Sequence, residues 1–345
     1  MPDFDWTTDP EVLGISRALD PPGTLPHLAE RVDAESEPND FEIGLEVELL
    51  NIDATSFRDL SARGTGDPMQ IARLIHEIVV SRGKLHNPCT GSGGVLVGRV
   101  ATVGSRSRGS HLQSGERVVP LVSLIAIPLR LAAVGPVDPA SPQVPAVGRA
   151  ILTGRMPFAV VPDDLPLTVA LTAFDVYPAA SYVRSYASSG DHVLILGAGH
   201  AGLLGATAAA ARVGDAGHVS VVDVSEHALQ RLAAVAPRSI GIRADATSPL
   251  AVAGALQRAG LPRADVTLVC ATVPGCEGSA ILSTADSGAV LFFSTATSFS
   301  AAALGTDAVG SRVRLVIPNG CTDDHGDYTL ELLRRNPALA SSFEA

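Results

Sequence analysis

Six short, strongly apolar runs occupy the second half of the chain, and alanine-rich segments with helical spacing separate most of them. The runs are HVLILG (192–197), HVSVVD (218–223), RSIGIRAD (238–245), ADVTLVC (264–270), GAVLFFS (288–294) and VRLVIPNG (313–320). Near-continuous apolar strands that alternate with helices are typical of a parallel sheet covered on both faces. Six such strands match a doubly wound dinucleotide-binding fold, so the pattern predicts an α/β domain over residues 161–320.

A different pattern fills the first half of the chain from Phe41. Three segments there alternate between apolar and polar residues or are continuously apolar, and glycine and serine residues separate them. They are FEIGLEVELLNID, VLVGRVATVG and ERVVPLVSLIAI. This pattern predicts a mostly antiparallel β domain, a small barrel. DPMQIARLIHEIVVSRG has helical spacing and interrupts it. Residues 1 to about 40 indicate an irregular arm, so we assign residues 1–160 to this domain. Residues 321–345, with the amphipathic DYTLELLRR, are expected to return to it.

Composition narrows the class of protein. The 345 residues are 46% hydrophobic and 18% charged, and they show neither an export signal nor an apolar run long enough to span a bilayer. We therefore expect a cytoplasmic globular protein without a membrane partner. A net charge of -11 disfavours nucleic acid and suits a small cationic substrate. The four scattered cysteines predict reduced thiols rather than disulfides.

A glycine pattern follows the first of the six runs. HVLILGAGHAG has G-x-G-x-x-G spacing between a predicted strand and the predicted helix AGLLGATAAAARVG. The first glycine would permit a tight turn, the second would let the backbone approach a pyrophosphate, and the third would let helix and strand pack closely. The alternative is a strand-helix turn without a ligand. The expected cofactor loop comprises Gly197, Ala198, Gly199, His200, Ala201 and Gly202.

Further residues complete the predicted cofactor site. Asp223 ends the next strand, where its carboxylate can accept hydrogen bonds from both adenosine ribose hydroxyls. It would repel a 2'-phosphate, and the following VSEHA supplies no arginine, so NAD is favoured over NADP. Asp245 could line the adenine side or cap the next helix. Ligands of open sheets lie at the carboxyl ends of strands, so we expect nicotinamide contacts from Ala271, Thr272, Val273, Ser294, Thr295 and Ala296.

A barrel followed by a dinucleotide domain, with GERVVPL near the end of the barrel, resembles the medium-chain dehydrogenase/reductase superfamily. The resemblance implies a GroES-like first domain, a Rossmann second domain and a homodimer paired through the sixth strands. Many members hold zinc through a Cys after an early strand, a Gly-His-Glu motif and a later Cys. Ser56 and Gly91–Gly94 stand in the first two places here, and no Cys occurs between residues 90 and 269. Of suitable ligands, only His86 and Cys89 are close in sequence, so we expect no metal.

Longer stretches resemble the L-erythro-3,5-diaminohexanoate dehydrogenase family. They are LNIDATSF (50–57), NPCTGSGGVLVG (87–98), LVSLIAIPLR (121–130), ILSTADSGAVLFFSTATSFSAAALG (281–305) and IPNGCTDDHGDYTLELLR (317–334). The resemblance covers most of the chain beyond about residue 40. It implies NAD-linked oxidation of the C3 amine of a 3,5-diamino acid, followed by hydrolysis to 5-amino-3-oxohexanoate and ammonia.

That chemistry needs a group that takes a proton from an ammonium and a group that activates water. Asp53, after the early strand, and Asp175, in LTAFDVYPAAS, could each hold an ammonium or serve as the base. Each could equally be a helix cap or a buried hydrogen-bonded carboxylate. Ser56, near Asp53, is a candidate substrate-binding residue.

The stretch KLHNPCTGSGG carries the remaining candidates. Asn87, Thr90 and Ser92 could bind substrate or water, although turn formation explains them almost as well. Lys84 is the only lysine in the chain. An ammonium can titrate where a guanidinium cannot, so Lys84 could bind the substrate carboxylate or transfer a proton. The alternative is a lysine left on a loop by chance.

Two other functions fit the same patterns. A medium-chain oxidoreductase for an alcohol, quinone or enone would share the fold without the amine chemistry. A non-catalytic NAD-binding sensor would bind the cofactor and turn over nothing.

Overall fold

A computed structural model describes residues 7–318 and 324–344. The chain forms two compact units, Met1–Asp175 and Val176–Ala345. Of the segments predicted above, the end of the sixth apolar run and Cys321 fall within residues 319–323, outside the described residues. None of the described helices is long and apolar enough to cross a membrane.

The first unit is built on a six-stranded antiparallel sheet. In chain order its strands are β3 (Ile43–Asn51), β4 (Val95–Val103), β5 (Arg117–Pro120), β6 (Leu129–Val134), β7 (Gln143–Leu152) and β8 (Phe158–Val160). The sheet order is β6-β7-β3-β4-β5-β8, so β3 lies between β7 and β4. The predicted antiparallel domain is therefore confirmed, and β3 carries residues 43–51 of FEIGLEVELLNID.

Two helices lie wholly within this unit, and a third begins in it and ends in the second unit. They are α1 (Ala54–Arg63), α2 (Pro68–Arg82) and α3 (Leu167–Tyr186), whose residues run across the division between the units. The predicted helix is α2: the Asp67 side chain accepts a hydrogen bond from the Met69 N–H at its start, and Gly83 ends it in the left-handed region. We did not predict α1, because its buried face is only one turn long, with Phe57 and Leu60 as its buried apolar residues.

The N-terminal arm is held against the first unit by a buried ion pair. Its elements are a 3-10 turn (Ile15–Arg17) and the two short strands β1 (Ala18–Asp20) and β2 (Arg31–Val32). The Arg17 guanidinium donates to both carboxylate oxygens of Glu42, at 3.0 and 2.6 Å, and to the backbone oxygens of residues that follow β2. Both side chains are almost fully buried, so removing one partner would leave an uncompensated charge.

The second unit contains the predicted parallel sheet. Its strands are β9 (His192–Leu196), β10 (His218–Asp223), β11 (Ile240–Arg243), β12 (Ala264–Val269), β13 (Thr284–Phe292) and β14 (Arg314–Val316). They pair in the order β11-β10-β9-β12-β13-β14, with every neighbour parallel. All six apolar runs thus form strands, and only β13 begins clearly earlier than its run, at Thr284.

Seven helices follow α3 within the described residues of this unit. In chain order they are α4 (His200–Val213), α5 (Glu226–Val235), α6 (Pro249–Arg258), α7 (Glu277–Ser283), α8 (Phe299–Ala308), α9 (His325–Arg335) and α10 (Pro337–Ser341). The strand order places β9 beside both β10 and β12, which is the switch point where doubly wound sheets bind ligands.

The domain limits differ from the predicted ones at two places. The units divide at Asp175, within α3, rather than at residue 160. The C-terminal helices belong to the second unit, where α9 packs against α4 and α10 against α5. The Asn336 amide also donates to the Val235 carbonyl, at 2.8 Å. DYTLELLRR therefore buries its apolar face within the second unit instead of returning to the first.

Candidate active and cofactor sites

The glycine loop between β9 and α4 has the geometry of a phosphate-binding turn. Gly197 has φ +103°, a backbone conformation that L side chains rarely adopt. A Cβ on Gly202 would collide with the Gly197 carbonyl oxygen, so the third glycine permits the close packing of helix on turn. A Cβ on Gly199, in contrast, would meet nothing within 4 Å. The space above Gly199 is therefore open to a ligand.

The first turn of α4 offers hydrogen-bond donors to that space. Gly199 is the N-cap residue and supplies no side-chain acceptor, so the first N–H groups of the helix, including those of His200 and Ala201, lack a side-chain cap. Uncapped N–H groups and the positive end of the helix dipole favour an anion such as a pyrophosphate. Burial, and then the charge of Arg231, lowers the pKa of His200, whose ring lies 4.8 Å from that of Phe343.

Asp223 connects this loop to the end of β10. Its Oδ2 accepts a hydrogen bond from the Ala198 N–H at 2.7 Å, and its Oδ1 accepts one from the Ser225 N–H at 2.8 Å. Each carboxylate oxygen retains a second lone pair for a ribose hydroxyl. Arg243 lies opposite Asp223 in the β10–β11 pairing, a neighbour that the sequence argument about the 2'-phosphate did not consider.

Asp245 forms a local turn. Its Oδ1 accepts hydrogen bonds from the Thr247 N–H at 2.9 Å and the Thr247 hydroxyl at 2.7 Å, and these bonds lower the pKa of Asp245. Ser248 is the N-cap of α6, so Asp245 does not cap that helix itself.

The residues expected near the nicotinamide lie at the same edge of the sheet as the glycine loop. β12 ends at Val269 and β13 at Phe292, and these two residues pair with each other. The Ala271 N–H donates to the Leu196 carbonyl at 2.8 Å, which places the start of the 271–273 segment directly against the end of β9. Thr272, Val273 and Thr295 are exposed, whereas the Ser294 hydroxyl is turned inward and accepts from the Ala296 N–H at 3.2 Å.

In the first unit, Asp53 lies between β3 and α1 and has two different oxygens. Oδ1 accepts a hydrogen bond from the Ser56 N–H at 2.9 Å, so Asp53 is the N-cap of α1. Oδ2 is buried and has no hydrogen-bond partner among the described residues. Oδ1 thus caps α1, as one of the two interpretations of the sequence predicted, and Oδ2 is free for a ligand.

Asp175 lies near Asp53 and carries a strongly shifted pKa. Burial, and then the negative charge of Asp53, raises the pKa of Asp175 from 3.8 to about 8. A carboxyl with such a pKa can exchange a proton close to neutral pH. The structure therefore brings together the two aspartates that the sequence singled out, although 122 positions separate them.

The glycine-rich loop brings a second candidate pair together. The Ser56 and Thr90 hydroxyl oxygens lie 2.6 Å apart, and Ser56 is fully buried at the start of α1. Gly94, with φ +94°, lets the loop touch the end of β3, because a Cβ there would collide with the Asn51 carbonyl oxygen. This close approach fixes the loop beside the Asp53 turn.

The Asn87 side chain of that loop has structural partners for both its amide nitrogen and its oxygen. The Asn87 amide donates to Asp59 Oδ2 at 2.9 Å, and its oxygen accepts from the Cys89 N–H at 2.9 Å. The Ser92 carbonyl accepts from the Asn87 N–H at 2.9 Å. Asn87 is 1% exposed and shapes the turn, which agrees with the turn-forming alternative.

Lys84 is fully buried and faces the N-terminal arm. Its Nζ donates to the carbonyl oxygens of Pro26 at 2.7 Å and His27 at 3.2 Å. Burial, and then the charge of Arg82, lowers the pKa of Lys84 to about 8. Two of the three Nζ donors are engaged by backbone acceptors of the arm, which favours a structural role for Lys84 over a catalytic one.

Comparisons with known proteins show which family the chain resembles. Residues 16–162 match the family model of the L-erythro-3,5-diaminohexanoate dehydrogenase N-terminal domain. The L-erythro-3,5-diaminohexanoate dehydrogenase of Fusobacterium nucleatum subsp. nucleatum is 38% identical over 333 residues, 96% of each chain. The enzyme of that name from Acetoanaerobium sticklandii is 35% identical over 334 residues, 96% of this chain and 97% of the relative. The chain belongs to the L-erythro-3,5-diaminohexanoate dehydrogenase family.

The fold of this dehydrogenase is shared more widely. A quinone oxidoreductase of Pseudomonas syringae pv. Tomato DC3000 superposes with a TM-score of 0.55 at 16% identity, over 91% of this chain and 89% of that one. A likeness at this identity shows the fold alone, and it confirms the predicted class, a GroES-like antiparallel unit and a Rossmann unit. The family match begins at residue 16, so the arm from that point belongs to the diaminohexanoate dehydrogenase pattern, contrary to our limit near residue 40.

No metal centre is formed within residues 7–318 and 324–344 of this family member. No three His, Cys, Asp or Glu side chains come together there in a group that could hold a metal ion. Cys89 is exposed, with its sulfur 3.9 Å from Arg63 Nη1, and His86 Nδ1 is buried without a hydrogen-bond partner among the described residues.

The sequence argument missed polar residues of this family member that lie around Asp53 and Asp175. Asn51 was quoted within LNIDATSF but given no role. Gln143 Nε2 donates to the Thr168 carbonyl and to the Thr172 hydroxyl, both at 2.9 Å, one turn before Asp175 on α3. Nothing local marks Gln143, because its contact with α3 arises only from the folding of β7 against that helix. Asn51 carried a local signal, a polar residue at the end of an apolar strand.

Proposed function

We propose that this protein oxidatively deaminates L-erythro-3,5-diaminohexanoate with NAD, yielding 5-amino-3-oxohexanoate and ammonia. The observation that carries the proposal is the proximity of Asp53 to Asp175, two carboxyl groups in a family whose named members are dehydrogenases of a diamino acid. A pair of carboxyl groups with one free oxygen suits a cationic amine and would not be needed for a neutral alcohol or quinone.

In this proposal Asp175 is the proton acceptor. The C3 ammonium must lose a proton before hydride can leave C3, because the protonated nitrogen has no lone pair to stabilise the developing cation. The raised pKa of Asp175 matches this task near pH 8, while the neighbouring Asp53 carboxylate holds the cationic substrate. Loss of hydride from the neutral amine leaves a protonated imine. Water then adds to its C3 and the carbon–nitrogen bond breaks; one of the two water protons leaves with ammonia and the other is released.

Hydroxyl groups beside the aspartates are assigned to binding. Ser56 and Thr90, which share a hydrogen bond, can donate to the substrate carboxylate or position the hydrolytic water. Ser92 remains a candidate for the same role on the adjacent loop. Asn87 is assigned instead to holding that loop in shape, since its amide is already hydrogen-bonded at both ends.

The second unit supplies the cofactor site. Residues 197–202 and the first turn of α4 would hold the pyrophosphate, and Asp223 would bind the adenosine ribose. When bound, NAD accepts the hydride from C3. Repulsion between Asp223 and a 2'-phosphate favours NAD over NADP. Because the neighbouring Arg243 is positively charged, the affinities for NAD and NADP should be measured directly. We further propose that the reaction does not need zinc, because protonation and charge are handled by Asp53 and Asp175.

A substrate panel tests the proposal. The purified protein is incubated with L-erythro-3,5-diaminohexanoate and either NAD or NADP, and reduced cofactor and ammonia are both quantified. Equal amounts of NADH and ammonia are expected, and they should persist after treatment with a zinc chelator. NADH formation from alcohols without ammonia would indicate the alternative oxidoreductase, and cofactor binding without any turnover would indicate a sensor.

We also propose that two copies associate through β14. This strand is an edge of the parallel sheet as far as the described residues show, and Leu315 and Ile317 on or beside it are exposed. An exposed strand edge with apolar side chains favours pairing with a second copy. Light scattering should report a dimer for the native chain and a monomer for Leu315→Lys.

A further inference from the structure

Asn51 has a buried acceptor oxygen that the fold leaves unused. The residue ends β3 and is 3% exposed, and its Oδ1 has no hydrogen-bond partner among the described residues. An unsatisfied buried oxygen disfavours the folded state, so native structures rarely keep one without a ligand or an ordered water. Asp53, two residues later, has a second oxygen of the same kind.

The β-sheet register indicates which way Asn51 points. It pairs directly with Gln143 across β3 and β7, and directly opposed residues project from the same face of a sheet. The Gln143 amide reaches the first turns of α3, where it donates to Thr172 Oγ1 at 2.9 Å. This face of the β3–β7 pair is therefore turned toward α3.

The same part of α3 carries Asp175. Thr172 and Asp175 are three positions apart, so they lie on one face of the helix. Asp175 also lies near enough to Asp53 for the Asp53 charge to raise its pKa. Asn51, Asp53 and Asp175 thus belong to one polar cluster, formed by the end of β3 and the third turn of α3.

An ammonium group is the ligand that this cluster fits. The two unpartnered oxygens accept hydrogen bonds, and –NH3+ has three donors and no acceptor. The negative charge of the Asp53 carboxylate favours a cation over a neutral hydroxyl. A carboxylate of the substrate would be repelled here, so it has to bind elsewhere.

We propose that Asn51 Oδ1, together with Asp53 Oδ2, binds the C5 ammonium of the substrate, the amine that does not react. This assignment rests on the proposed function and adds a specificity residue to it. Asn51 would then distinguish a 3,5-diamino acid from a 3-amino acid, whereas Asp175 acts on the C3 amine.

Asn51→Leu tests the assignment, because leucine has the same number and branching of side-chain heavy atoms and no acceptor. Inhibition constants are measured for 5-aminohexanoate, which keeps only the C5 amine, and for 3-aminohexanoate, which keeps only the C3 amine. Titration calorimetry provides dissociation constants for the same two ligands independently of turnover. The substitution should weaken the binding of 5-aminohexanoate by about 10- to 100-fold, as expected for the loss of a hydrogen bond to a charged group. Binding of 3-aminohexanoate should change less than threefold.

Equal weakening of both ligands, or no weakening of either, would overturn the assignment. Ser283→Ala is the matched control, since Ser283 is another buried side chain with an unpartnered oxygen, in α7 of the second unit. It should change neither constant. The melting temperature of Asn51→Leu should be unchanged or higher, and if that variant does not fold, Asn51→Ala provides the same comparison.

The two proposals fail separately. Absence of NADH and ammonia from the wild-type protein would reject the proposed reaction, and calorimetry with the monoamino acids would still measure the Asn51 site. Normal turnover with a uniform effect of Asn51→Leu on both ligands would reject the site alone.

Discussion

Replacing Asp175 with asparagine should make the protein more stable at alkaline pH and inactive. The substitution keeps the shape of the side chain and removes its ability to ionise. In the folded protein, burial and the Asp53 carboxylate raise the pKa of Asp175 from 3.8 to about 8. The folded state therefore binds this proton more tightly than the unfolded state, and the stability contributed by Asp175 is lost as the pH rises from about 4 to about 8.

The size of the effect follows from the same pKa. A change from 3.8 to about 8 corresponds to at most about 5 to 6 kcal/mol between the two protonation states. Asp175 retains some exposure, and solvent screens its charge, so we expect about 2 to 3 kcal/mol. Asp175→Asn should thus match the wild-type protein near pH 4 and exceed its free energy of unfolding by about that amount near pH 9.

Urea denaturation at a series of pH values measures this difference. Asp163→Asn, at an exposed aspartate of the same unit, is the control and should show no comparable trend. The wild-type kcat/KM should rise with pH through about 8, and Asp175→Asn should lose this dependence together with most of its activity. A stability difference that is constant from pH 4 to pH 9, or a fully active variant, would refute the role given to Asp175.

Two further substitutions test the cofactor site and the arm. Asp223→Ala should weaken NAD binding by about 1.5 to 3 kcal/mol, the value of hydrogen bonds to a charged acceptor, and unchanged affinity in a calorimetric titration would exclude the ribose contact. Lys84→Met removes the donor to the Pro26 and His27 carbonyls and should lower the melting temperature while leaving kcat within about twofold, because those partners belong to the arm. The pKa of Lys84 is lowered to about 8. Between pH 8 and pH 10.5, the free energy of unfolding of the wild-type protein should therefore rise by up to about 3 kcal/mol relative to that of Lys84→Met. A difference that does not depend on pH would argue against a buried titrating amine.

The parallel sheet and the geometry of its glycine loop could be predicted from the sequence because their physical requirements are local. A strand buried on both faces, such as β9 at residues 192–196, has to be a continuous apolar run. The glycines of GAGHAG stand where a Cβ would collide with the backbone or would fill the proposed ligand space. The need for glycine at these positions is therefore visible in the sequence.

The proposed substrate-binding cluster depends on contacts between residues far apart in sequence. Lys84 was noticed because it is the only lysine, but no local pattern shows that its amine reaches Pro26, 58 residues earlier. The unused oxygen of Asn51 likewise becomes informative only when β3 pairs with β7 and places it opposite Gln143. Asp53 was correctly weighed as a helix cap, and the structure adds that only one of its two oxygens serves the cap.

The stoichiometry of products is the most direct test of the central claim. L-erythro-3,5-diaminohexanoate and NAD are supplied to the purified protein, and NADH and ammonia are measured in the same sample over time. One ammonia for each NADH is the predicted result. NADH without ammonia, or no product from any 3,5- or 3-amino acid, would contradict the account.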